Sequence, residues 1–96
     1  MQEQLQQIDR LIKGKRWEEA RQALRDLLSR DGYNAAGWWL YAKVAPSLAD
    51  ACVALENVLA IEPDYPRARA ALDIVKRRLA EKAQAEQAGE RPSGGG

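Results

Sequence analysis

Displaced by 31 residues, the amino-acid sequence falls back into register with itself. Trp17 meets Leu48, Ala20 meets Ala51, Leu24 meets Leu55, Leu27 meets Val58 and Leu28 meets Leu59. The register continues past these, with Gly32 on Pro63, Asn34 on Tyr65 and Tyr41 on Leu72. Within each copy the apolar residues recur at i, i+3, i+4, i+7 and i+8, which is one face of an α-helix, and no stretch alternates with period two. The correspondence spans a helix, a turn and the next helix, so the repeated unit is a helix–turn–helix. Such a unit carries an apolar face too wide to stay in water, and it buries that face by stacking on its neighbours.

Read along the chain, the same spacing predicts five helices joined by short connections. Leu5, Ile8, Leu11 and Ile12 form the first stripe, which Gly14 is expected to break. Trp17 opens a second helix, with Glu18 and Glu19 in its first turn and Arg30 in its last, as the helix dipole prefers, and Gly32 ends it. Asn34 caps a third, holding Trp38, Tyr41, Ala42 and Ala45, which Pro46 stops. Ser47 to Asp50 resembles a capping box and starts a fourth helix that runs to Ile61. After the turn Pro63-Asp64-Tyr65-Pro66, with Pro66 suited to a first helical position, a fifth helix passes through Ala68, Ala71, Leu72, Val75 and Leu79. Beyond Leu79 the stripe fades, although Glu81 to Gln87 are able to continue the helix. Residues 83–96 are read as a flexible tail or linker, either a natural connection to a further domain or a remnant of cloning.

Composition then narrows the function classes. Ninety-six residues make one small domain, and 46% apolar with 30% charged residues is an ordinary globular balance. There is no histidine, so the commonest general base and the commonest metal ligand are missing. Cys52 stands alone, which excludes an internal disulfide and a cysteine zinc cage, and it is expected to pack as a small apolar group. No phosphate-binding loop and no GxSxG elbow occurs, so neither an enzyme nor a cofactor is expected. The longest uncharged run, Gly32 to Ala42, is too short to span a bilayer, and the N-terminus has no signal-peptide pattern. The expected location is the cytoplasm, away from membranes.

At this point the residues carry a resemblance. Gly14-Lys15-Arg16-Trp17-Glu18-Glu19-Ala20 with Leu24, Leu27 and Leu28 resembles the second half of a tetratricopeptide (TPR) repeat. Ala51, Leu55, Val58, Leu59 and Ile61-Glu62-Pro63 do so again, including the closing proline. Asn34 to Trp38, then Tyr41-Ala42, is similar to the opening of the next repeat. The resemblance covers roughly residues 2–80. It implies a short right-handed solenoid with units of roughly 1–34 and 35–65 and a capping helix 66–82. This chain's period of 31 is shorter than the family's, which is about 34.

The resemblance also implies a concave groove that binds a peptide or partner domain. Its positions fall on Asp9 and Ile12 of the first helix and on Trp39 and Lys43 of the third. The fifth contributes Arg67, Ala70, Ile74, Arg77 and Arg78. Trp17 and Trp38 match packing positions and are expected in the core. Trp39 points about 100° away from Trp38, either into the groove or under the fifth helix. The charge is segregated. Arg67 to Lys82 holds six basic residues and two acidic ones, whereas Val44 to Tyr65 holds four acidic residues and no basic one. These segments read as complementarity between neighbouring helices, or as a basic surface for an acidic peptide with an apolar anchor. Self-association of the stack by pairing the two segments is the structural alternative. Nucleic-acid binding by the fifth helix ranks below both, because that helix has no interleaved aromatics and the net charge is only +1.

Overall fold

The structure, a computed structural model, describes residues 2–90 and the side chains of residues 3–87. Five α-helices follow one another: α1 (Gln2–Lys13), α2 (Trp17–Arg30), α3 (Ala35–Val44), α4 (Leu48–Ile61) and α5 (Ala68–Glu90). No strand occurs among the described residues. Each helix packs on the one before it, and α3 also reaches back to α1, as in a stack of helix pairs. The 31-residue register is carried into the geometry. Both α2 and α4 are 14 residues long, and they begin and end 31 positions apart. Their C-caps, Asp31 and Glu62, are equivalent too, each donating its backbone N–H to Leu27 or Val58 at 2.8 Å. Asn34 and Tyr65 then repeat a second turn bond to the carbonyls of Asp31 and Glu62.

The helix boundaries follow their local chemistry. Asn34 Oδ1 accepts from the Gly37 N–H at 2.9 Å and caps α3. Ser47 Oγ accepts from the Asp50 N–H at 3.1 Å and donates to Asp50 Oδ2 at 3.0 Å. The capping box is thus closed through the hydroxyl rather than through the Ser47 backbone. The end of α1 departs from the expected glycine stop. Arg16 N–H bonds Leu11 O and Lys15 N–H bonds Ile12 O, both at 2.9 Å, which is a Schellman motif. Lys15, at φ 62°, holds its left-handed position, and Gly14 has no positive φ. Pro66 lies in the turn rather than in α5, and Arg67 at φ 68° leads into the helix. The expected break at residue 83 does not occur, since α5 continues to Glu90 with residues 80–87 exposed. Residues 91–96 of the expected tail lie outside the described residues.

Two buried clusters share α3. Ile8, Ala20, Leu24, Leu27 and Val44 form one, with Leu5, Leu11, Ile12, Leu40 and Tyr41 against it. Ala35, Val58 and Ala68 form the other, with Trp38, Trp39, Leu59, Ile61 and Tyr65 packed on it. Gly37 lies where α3 crosses α2, and a Cβ there would stand 3.1 Å from Leu28 Cδ2. Core expectations change at several residues. Trp17 is 42% exposed, because the first residue of α2 projects past the core toward the end of α3. Cys52 is half-buried, and so are Leu28 and Leu59. Arg21 lies against the C-terminus of α3, where its guanidinium donates to the Val44 carbonyl at 2.8 Å. The positive charge there also suits the negative end of the helix dipole.

Candidate partner-binding groove

Helices α1 and α3 flank an open groove of about 520 Å³. Leu5, Asp9, Arg10 and Lys13 form its α1 wall, Ala36, Trp39 and Leu40 its α3 wall, and Tyr65 from the α4–α5 turn closes one end. Trp39 is the central feature. Its ring stacks at a tilt on Tyr65, with centroids 5.6 Å apart, and Lys43 Nζ stands 5.9 Å from its centroid. Trp39 packs on the cluster of Ala35, Val58 and Ala68 and also lines the open groove. An indole held on a packed base with an accessible edge makes a rigid contact surface that loses little entropy on binding.

The rim of this groove is basic. Asp9 is engaged by Lys13 at 3.0 Å, one turn further along α1. Arg10 and Lys43 are exposed and make no ion pair among the described residues. Burial pushes the Tyr65 phenol above its ordinary pKa, and the Glu62 carboxylate adds to this. A neutral hydroxyl therefore stays beside Trp39 throughout the neutral range.

The other expected groove positions are placed elsewhere. Ile12 packs into the first cluster and does not line the groove. Arg67 sits in the turn before α5, while Ala70, Ile74, Arg77 and Arg78 form an exposed face of that helix. None of these five borders the Trp39 groove. Gln6, Arg10, Lys13, Ala36, Leu40 and Tyr65 also line the groove and were not among the expected positions. They come from α1, α3 and the α4–α5 turn, so no local pattern joins them. Asp26 and Arg30 pair at 2.6 Å as their spacing suggests, but Asp73 and Arg77 do not pair. Complementarity between α4 and α5 is not realised as ion pairs either, because the four ion pairs among the described residues all lie between Asp9 and Arg30.

A second hollow, of about 400 Å³, lies between α2 and α4. It is lined by Leu28, Trp38, Tyr41 and Val53 with Arg25 and Asp50. Trp38 meets Tyr41 edge-on at 6.2 Å and donates its Nε1–H to Gly32 O at 2.9 Å, which fixes it between the helices. No described helix is long and apolar enough to cross a membrane. No protein-family model, no curated protein and no solved structure matches the chain.

Proposed function

We propose that the protein is a non-enzymatic interaction module, a TPR-like stack in which the groove between α1 and α3 binds an acidic segment of a partner protein. The single observation that carries this reading is Trp39, stacked on Tyr65 with Lys43 beside its ring, in an open groove that Arg10 and Lys13 also line. Hot spots are enriched in tryptophan surrounded by groups that exclude water, and the basic rim favours carboxylates over other anchors. The apolar wall of Leu5, Leu40 and Trp39 adds a place for one aliphatic or aromatic side chain of the ligand. Because rim charges are screened and little area is desolvated, micromolar binding is expected.

The test is fluorescence anisotropy with a labelled glutamate-rich peptide carrying one leucine or aromatic residue. Trp39→Ala is expected to weaken binding by about 1–3 kcal/mol. Arg10→Glu with Lys13→Glu should weaken it too, with an effect that shrinks as salt rises. Both basic residues are exposed and outside the core, so this pair separates lost binding from lost folding. A peptide held equally well by all three forms places binding outside this groove.

A further inference from the structure

The opposed charges of α4 and α5 are left unsatisfied within the chain. These helices pack directly on one another, yet no ion pair joins them among the described residues. Glu56, Glu62 and Asp64 on and after α4 are exposed, as are Arg69, Lys76, Arg77, Arg78 and Lys82 on α5, which outnumber the exposed Asp73, Glu81 and Glu86 of that helix. Each charge set lies next to exposed apolar surface. Val53, 53% exposed, precedes Glu56 by one helical turn, and Ile74, 49% exposed, precedes Arg77 and Arg78 in the same way.

We propose that two copies of this chain pair about a two-fold axis, with α4 of each copy set against α5 of the other. An acidic partner would satisfy α5 alone, and a basic partner would satisfy α4 alone. A second copy satisfies both, twice, because a two-fold interface presents the same patch from each side. The net charge of +1 lets the copies approach without strong overall repulsion. Size sets the strength. With 14 and 23 residues, α4 and α5 are roughly 21 Å and 34 Å long, and at ~10 Å width they offer a footprint of about 550 Å². That is below the ~800 Å² per partner of a standard stable interface, so the dimer is weak and salt-sensitive.

Sedimentation velocity on the full chain, from about 10 µM to 1 mM at low and at moderate salt, tests this. The wild type should pass from monomer to dimer across that range at low salt and shift toward monomer as salt is added. Arg77→Glu with Arg78→Glu takes the segment Arg67 to Lys82 from +4 to 0, and Glu56→Lys with Glu62→Lys takes Val44 to Tyr65 from −4 to 0, so each reverses the charge at its two positions and removes the attraction. Each variant alone should dimerise about tenfold more weakly or not at all, and an equimolar mixture should recover the dimer, with the circular dichroism of each unchanged. Recovery in the mixture cannot come from an unfolded variant. The proposal is overturned by a wild type that stays monomeric, by dimers indifferent to either reversal, by a mixture that does not recover, or by growth past the dimer. A chain that stays monomeric but binds polyglutamate or duplex DNA through α5 would also overturn it, and would assign the basic face to that partner.

Discussion

Lys15 and Arg67 occupy the left-handed region of backbone space, at φ 62° and 68°, where a Cβ crowds the following carbonyl. Lys15→Gly should therefore raise stability by about 0.5–1 kcal/mol in urea unfolding, and a loss would mean that the lysine side chain contributes more than its backbone costs. Burial orders the next comparison. Leu24→Ala removes a fully buried side chain and should cost about 2–5 kcal/mol, whereas Trp17→Ala should cost clearly less. The 31-residue register made the Leu24 site legible, and it misled at Trp17, because a first-turn residue can share the helix face of a core residue and still lie beyond the partner's end. Tyr65 links a residue to pH. Its folded pKa is raised, so the stability it contributes is complete below the unfolded value and is lost as pH rises through the folded one. The alkaline loss of stability should accordingly be smaller in Tyr65→Phe, as read from melts at increasing pH.

Helix ends show where sequence reading succeeds and where it stops. Asn34 and Ser47 were legible as caps because the bonds they make reach only three residues. Arg21 was not, since its bond to Val44 O spans 23 positions and only the packing of α2 on α3 creates it. Arg21→Met should keep most of the stem's packing while leaving that partly buried carbonyl without its charged donor. The expected cost is about 1–3 kcal/mol by thermal or urea unfolding, and a neutral result would show that water replaces the guanidinium. The length of α5 was under-read for a different reason. Ala80 to Glu90 has no apolar stripe to reveal it, but its alanines, glutamines, glutamates and lysine favour helix without any packing. Ending the chain at Lys82 should lower the helical signal and leave the unfolding midpoint where it was.

At the scale of the stack, α3 is the shared element of both clusters, supplying Val44, Leu40 and Tyr41 to one and Ala35, Trp38 and Trp39 to the other. Neither cluster closes without it, so the five helices should unfold together rather than unit by unit. The groove inherits this dependence. Its walls come from α1 and α3 and its end from the α4–α5 turn, so its lining was only partly legible in the sequence. Trp39 and Asp9 were implied by the resemblance, but Tyr65, on the turn before α5, required the assembled stack. A chain ending at Arg30 puts the argument to its sharpest test. It keeps α1 and α2 but loses Val44, Leu40 and Tyr41, and Arg21 loses the α3 carbonyl it bonds. Helices of 12 and 14 residues are marginal in water on their own, so this fragment should be largely unfolded at 25 °C by circular dichroism. If it instead kept native helicity and melted cooperatively, the first pair would be a domain in itself, and the shared role of α3 would be wrong.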